Sequence, residues 1–225
     1  MKNRLLLYVF LFLLACSGGC GLSDIKVGGQ NQDPAYQKIA CVGSSITQGF
    51  TLPDVQNYPT QLQSLIGPPH KVLNYGVGGS TVLKKGDTPV WQGNKYGYAI
   101  DWKPTVVVIE LGTNDSKPQN WQYKSEFKND YTDLIKSFRQ LSSSPKVYIC
   151  IPPPVFKEGY DINANVLHNE VIPQIYAIAE ENKVPIIDLY KLMANQDSLF
   201  IDGIHPNAKG AAFIAKEVQR VIDIK

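Results

Sequence analysis

The run Val106-Val107-Val108-Ile109 constrains this chain more than any other feature. Consecutive β-branched residues lose χ1 freedom in a helix and suit an extended strand. An apolar run without alternation leaves no face for water, so the strand is buried on both sides. Such strands belong to parallel sheets, whose crossover helices cover both faces. The run extends over residues 105–111, and four similar ones occur at 38–42, 72–75, 146–151 and 184–189.

Helical periodicity lies between them. Residues 59–66 form a short segment. Over 126–141, Phe127, Tyr131, Leu134, Ile135, Phe138 and Leu141 fall on one face. Over 165–182 the pattern is interrupted by Pro173, which predicts a kink or a late helix start. A last amphipathic helix covers 208–224, with Pro206 near its first turn, where proline is tolerated. Strands alternating with helices predict a three-layer α/β/α fold, doubly wound around a five-stranded parallel sheet, flavodoxin-like in arrangement. The 225 residues suffice for one such domain with a sizeable core and are short for two. Residues 81–103 show the longest stretch without clear periodicity and predict an excursion near the site.

The first residues follow another logic. Lys2 and Arg4 precede an apolar run that ends in Leu13-Leu14-Ala15-Cys16. A basic start before a short greasy segment is the layout of an export signal. The run is too short to span a bilayer, which takes roughly 20 apolar residues. The box before Cys16 resembles a bacterial lipobox. Residues 1–15 are therefore expected to be a lipoprotein signal peptide, with Cys16 the lipid-attachment site and 16–35 a flexible tether to a domain over 36–225. Two alternatives stay open: cleavage without lipidation, and Cys20 as the modified residue. The lipoprotein reading places the protein in the cell envelope, held to a membrane only through that lipid.

Lys2 and Arg4 also account for the formal charge of +2; without residues 1–15, basic and acidic residues balance at 20 each. Overall charge gives nucleic-acid binding no support, since phosphates need a basic face. Cys41 and Cys150 end apolar strands and read as buried free thiols. The three histidines, His70, His168 and His205, have no close pairing, so neither a metal nor a cofactor is expected.

A doubly wound sheet binds ligands beyond the carboxyl ends of its strands. Four polar, glycine-bearing segments occupy that edge: Gly43-Ser44-Ser45, Asn74-Tyr75-Gly76-Val77-Gly78-Gly79, Gly112-Thr113-Asn114-Asp115 and Asp202-Gly203-Ile204-His205. A serine hydroxyl attacks only when a base takes its proton. His205 can be that base for Ser45, and Asp202, three residues earlier, can hold the far ring nitrogen. Ser44 is the competing nucleophile. The Ser45 N–H, the Gly79 N–H and the Asn114 amide can serve a developing oxyanion, with Gly78 the near alternative to Gly79.

These four blocks, in this order, resemble those of the SGNH (GDSL-like) hydrolases. The family's Gly-Asp-Ser block is Gly43-Ser44-Ser45 here, so Ser44 replaces the usual aspartate. The Gly-x-Asn-Asp and Asp-x-x-His blocks are intact. The resemblance implies the SGNH hydrolase fold, a Ser45–His205–Asp202 triad, an acyl-enzyme and no cofactor. Tyr58-Pro59-Thr60-Gln61-Leu62, the stretch Gly112 to Trp121, and Pro152-Pro153-Pro154-Val155 resemble the sialate O-acetylesterase-like bacterial carbohydrate esterases. That implies short acyl esters, acetyl above all, on sugars. A lysophospholipase or thioesterase, and a catalytically inactive glycan-binding lipoprotein, are the competing readings.

Trp91 and Trp121 are the substrate-binding residues to expect, as a sugar platform with Tyr96 and Phe156, although aromatics in loops also serve as packing. Lys84, Lys85 and Lys95 suit an anionic sugar or, equally, a solvated loop. His70 reads as a surface residue and His168 as solvated. Pro152-Pro153-Pro154 either holds a cis bond or stiffens its loop.

Overall fold

Five parallel strands form one sheet in the order β2-β1-β3-β4-β5. They are β1 (Lys38–Gly43), β2 (Lys71–Gly76), β3 (Val106–Glu110), β4 (Lys146–Ile151) and β5 (Ile186–Asp188). The computed structural model describes residues 36–222 and 224. The expected signal peptide over 1–15, Cys16, Cys20 and the whole of the tether expected over 16–35 lie outside the described residues.

Helices connect the strands: α1 (Ser45–Gln48), α2 (Tyr58–Ile66), α3 (Asn94–Asp101), α4 (Pro118–Trp121), α5 (Phe127–Arg139), α6 (Ala164–Val166), α7 (Ile172–Glu181), α8 (Leu189–Leu192) and α9 (Ala208–Val221). The alternation of β3 divides the core. Val107 and Ile109 face a cluster containing Phe127, Leu134 and Phe138 of α5 and Ile175 and Ile178 of α7. Val106 and Val108 face a second cluster with Tyr58 and Leu62 of α2 and Ile214 and Val218 of α9. Each of these β3 residues is at most 1% exposed, as an unbroken β-branched run requires.

The register aligns the strand ends. Gly43 pairs with Gly76 on one side and with Glu110 on the other. The chain winds outward in both directions from β1 and β3, so their carboxyl ends frame the crevice where such sheets bind ligands. Among the described residues, no helix is long and apolar enough to cross a membrane.

One local expectation, the late helix start at Pro173, is met and two are revised. The helix over 165–182 is broken into α6, a π-helical turn (Leu167–Val171) and α7, where Pro173 sits in the first turn and needs no N–H partner. Within 81–103 lie Val82 and Leu83, which are fully buried, and α3, which packs near β2, so that stretch is partly core. His70 is 8% exposed rather than a surface residue, and its Nδ1 accepts the Gln37 N–H at 3.2 Å. His168 is exposed and stacks on Tyr190. The cis peptide among the described residues is Pro68–Pro69, and Pro152-Pro153-Pro154 is trans. Cys41 and Cys150 are buried free thiols.

Candidate active site

Ser45 opens α1 directly after β1. The short helix leaves its first N–H groups without intrahelical partners, and Gly49 ends it in the left-handed region at φ 84°. Ser44, one residue earlier, is 1% exposed and turns inward, with its Oγ 3.5 Å from Glu110 Oε2. The hydroxyl that reaches the cleft is that of Ser45.

His205 arrives from the opposite side of the sheet edge. Its loop follows β5, α8 and a 3₁₀ turn (Asp197–Leu199) rather than a strand end. The loop is closed by Ile201 N–H donating to His205 O at 2.9 Å and by Asn207, which caps α9 by accepting from Lys209 and Gly210 N–H. His205 Nε2 lies 3.0 Å from Ser45 Oγ, and Nδ1 lies 2.7 Å from Asp202 Oδ2. Asp202 Oδ1 accepts the Ile204 N–H at 2.9 Å and the His205 N–H at 2.7 Å. Burial pushes the Asp202 carboxyl up, but the His205 and Ile204 hydrogen bonds outweigh it and hold the group down at about 2.

The expected oxyanion donors converge on the same point. Ser45, Gly79, Asn114 and His205 line one cleft of about 150 Å³. Gly78 N–H donates to Gln48 Oε1 at 2.6 Å, whereas Gly79 N–H has no acceptor among the described residues. Of the two glycines, Gly79 is therefore the one free to donate, and its φ of 81° suits a residue without Cβ. The Asn114 amide gives one proton to Ser80 O at 3.2 Å, which orients the group and leaves the second. Asp115, beside it, instead accepts from Val82 and Leu83 N–H and anchors the following strap.

Not every expected residue comes to the cleft. Trp121 is 6% exposed, packs edge-on against Phe127 and donates its indole N–H to Glu170. Trp91 donates to Val82 O and packs with Tyr96. Both are core-side residues, because each indole N–H finds an internal acceptor while its ring fills the hydrophobic layer. Phe156 packs at a tilt against Phe200. Lys84 pairs with Asp133 and Asp130, Lys85 with Glu126, and Lys95 donates to Gly76 O.

The aromatic wall comes from residues that the sequence did not single out. Phe50 and Tyr160, 40% and 55% exposed, flank the His205 ring at centroid separations of 4.7 and 5.1 Å. Ile162 and Ile204 complete the apolar lining. Tyr160 and the next residue, Asp161, hold φ of 55° and 60°, a conformation that costs of order 1 kcal/mol or more each outside glycine. Their loop is tied to the His205 loop by Phe156 N–H donating to Gly203 O at 2.8 Å. Sequence alone carries no sign of this conformation.

The arrangement can do one kind of chemistry well. A hydroxyl, an imidazole and an ionised carboxylate lie in series, with hydrogen-bond donors grouped beside the hydroxyl. This suits nucleophilic attack on an acyl carbon. The model of the GDSL-like lipase/acylhydrolase family matches residues 41–213.

The chain belongs to this family.

Two esterases resemble the chain in sequence. The chain is 41% identical over 206 residues to an acetylxylan esterase of Xylanibacter ruminicola, covering 82% of this chain and 43% of that protein. It is 29% identical over 124 residues to the uncharacterized esterase YxiM of Bacillus subtilis, covering 48% of this chain and 31% of the relative. The chain thus spans less than half the length of either. Among solved structures, the acetyl xylan esterase AlAXEase superposes with a TM-score of 0.65 at 22% identity, over 82% of this chain and all of that one. The carbohydrate acetylesterase Est24 of Sinorhizobium meliloti gives 0.64 at 20%, over 83% of this chain and all of that one. At these identities the likeness is one of fold, and it is the expected SGNH hydrolase fold.

Proposed function

We propose that this chain hydrolyses O-acetyl and other short acyl esters of carbohydrate, with Ser45 as nucleophile, His205 as base and Asp202 as its partner. The observation that carries the reading is the unbroken series Ser45 Oγ–His205–Asp202, with links of 3.0 and 2.7 Å. His205 Nε2 takes the serine proton as Oγ attacks the acyl carbon. The tetrahedral oxyanion then draws on the N–H groups of Ser45 and Gly79 and on the Asn114 amide. Collapse returns the proton through His205 to the sugar oxygen and leaves acetyl on Ser45. Water, deprotonated by the same imidazole, releases acetate.

Cleft size and lining support the substrate class. About 150 Å³ beside the Ser45 hydroxyl suits an acetyl group. Phe50 and Tyr160 offer rings to the apolar face of a sugar. Lys84, Lys85 and Lys95 are engaged elsewhere, and the cation that lines the cleft, Lys117, is balanced by Asp87 at 3.6 Å, which favours a neutral sugar over a sialate. The acetylxylan esterase relative points to acetylated xylan.

Turnover of p-nitrophenyl acetate and acetate release from acetylated xylo-oligosaccharides test the proposal. Ser45→Ala should lower kcat by at least 10³-fold on the scale known for such nucleophiles, with the fold intact by circular dichroism. A Ser45→Ala protein as active as the parent would end the mechanism. Glycan binding without any acetate release by the parent would favour the inactive binding protein instead.

A further inference from the structure

A second hollow of about 220 Å³ lies on the other side of the turn that carries Gly79. Gly78 and Gly79 face the catalytic cleft, while Val77 and Ser80 face this hollow. Three contacts make the two spaces neighbours. Asn114, in the cleft, donates to Ser80 O at 3.2 Å. Lys117, also in the cleft, lies 3.6 Å from Asp87 in the hollow. The Thr88 side chain stands 3.5 Å from where a Cβ on Gly79 would be.

The lining of the hollow is rich in polar groups that the fold leaves unused. Tyr75 and Ser80 are 8% and 2% exposed, yet their hydroxyls have no hydrogen-bond partner among the described residues. They are also absent from the side-chain atoms sealed away from solvent, so both open into the hollow they line. On the exposed rim Thr88 adds a hydroxyl and Gln92 an amide, and the half-buried Tyr96 adds a second hydroxyl, all without partners among the described residues. The buried Tyr75 and Ser80 thus turn their hydroxyls into one cavity, where the hydroxyls of a ligand can take the place of water as their partners. Asp87 is the one charged residue in the lining, and it is already engaged: Asn120 Nδ2 donates to it at 3.0 Å, and Lys117 balances it. What remains is hydroxyl, amide and aromatic edge, the complement of a neutral polyol.

We propose that this hollow is a second sugar subsite, holding a neutral, unacetylated pyranose of the same glycan whose acetylated unit lies against Ser45. The inference rests on the esterase reading for the orientation of the glycan, and the hydroxyl-lined cavity carries the subsite itself. The substrate is then an oligosaccharide or polysaccharide rather than a free acetylated monosaccharide. Asn120 links the two spaces: it donates to Asn114 O at 2.8 Å and to Asp87, so a sugar seated against Asp87 bears on the residue that offers the oxyanion amide.

Tyr75→Phe combined with Gln92→Ala tests it, because one change removes a single oxygen and the other lies on the exposed rim. The readout is the ratio of kcat/KM for acetylated xylotetraose to that for acetylated xylose. We expect the parent to favour the tetraose at least tenfold and the double variant to lose most of that preference. A ratio that stays within twofold of the parent overturns the subsite. A separate titration of unacetylated xylotetraose, followed by NMR, keeps the two claims apart. Should the parent fail to hydrolyse any ester, tetraose binding that the double variant weakens at least tenfold still upholds the subsite. Absence of binding by the parent rejects it.

Discussion

Asp202 divides its two carboxylate oxygens between two tasks. Oδ1 closes its own loop by accepting the Ile204 and His205 N–H groups, and Oδ2 holds His205 Nδ1. With its pKa held at about 2, the carboxylate stays ionised at any pH where an imidazole base operates. Asp202→Asn preserves the Oδ1 contacts but presents an N–H to Nδ1. The ring proton then moves to Nε2, where it removes the base from Ser45. The expected result is a loss of kcat on the order of 10³–10⁴-fold with a nearly unchanged KM and melting curve. Kinetics on p-nitrophenyl acetate check this, and a kcat within tenfold of the parent contradicts it. The Asp202–His205 pair was legible because a spacing of three is set by local chain geometry. Phe50, Tyr160, Ile162 and Ile204 were not, since an apolar residue at a cleft wall has the same sequence appearance as one in a core. The tryptophans failed for the converse reason: Trp121 and Trp91 look like platform residues until Glu170 and Val82 claim their indole N–H groups.

At the scale of elements, strands and amphipathic helices were read within a few residues, because burial on two faces or one imposes a period on the sequence. What escaped was held by single long-range bonds. The strap after β2 is core-like because Asp115, more than thirty residues away, accepts from Val82 and Leu83 N–H. The loop after β4 is likewise fixed by its contact with Gly203. That glycine has φ 89°, and a Cβ there would stand 2.5 Å from Lys157 Cβ and 2.8 Å from Lys157 N. Gly203→Ala must therefore strain its own backbone and push the two loops apart, at a cost on the order of 1–3 kcal/mol. A chain of this size should lose about 2–10 °C in Tm. Because Asp202 and His205 flank the position and Tyr160 sits on the loop it displaces, kcat should fall at temperatures where the variant is still folded. Calorimetry beside initial rates at 25 °C tests the claim; a variant with parental Tm and kcat shows that the loops do not depend on this contact.

For the whole molecule, β3 joins the two core layers and ends in a buried carboxyl. Glu110 is 0% exposed; its Oε2 lies 3.4 Å from Thr47 Oγ1 and 3.5 Å from Ser44 Oγ, and Oε1 has no partner among the described residues. Burial pushes this carboxyl up to about 8, against the hydrogen bonds from Thr47 and Ser44. At neutral pH the native chain thus keeps a proton that the unfolded chain releases near 4.5. The sign follows from linkage: where the native state binds more protons, stability declines as pH rises. The contribution of Glu110 is greatest below 4.5 and lost progressively towards 8. Asp115 behaves in the same sense, pushed up to about 7 by burial against the Leu83 and Val82 N–H groups, so a stability curve of the parent alone mixes the two. Glu110→Gln separates them, since the amide keeps the shape and neutrality of the protonated acid and cannot titrate. Urea unfolding from pH 5 to 8 should show the parent losing stability relative to Glu110→Gln as pH rises. Parallel curves would mean that the group under α1 is ionised in the native state, held there by the two hydroxyls.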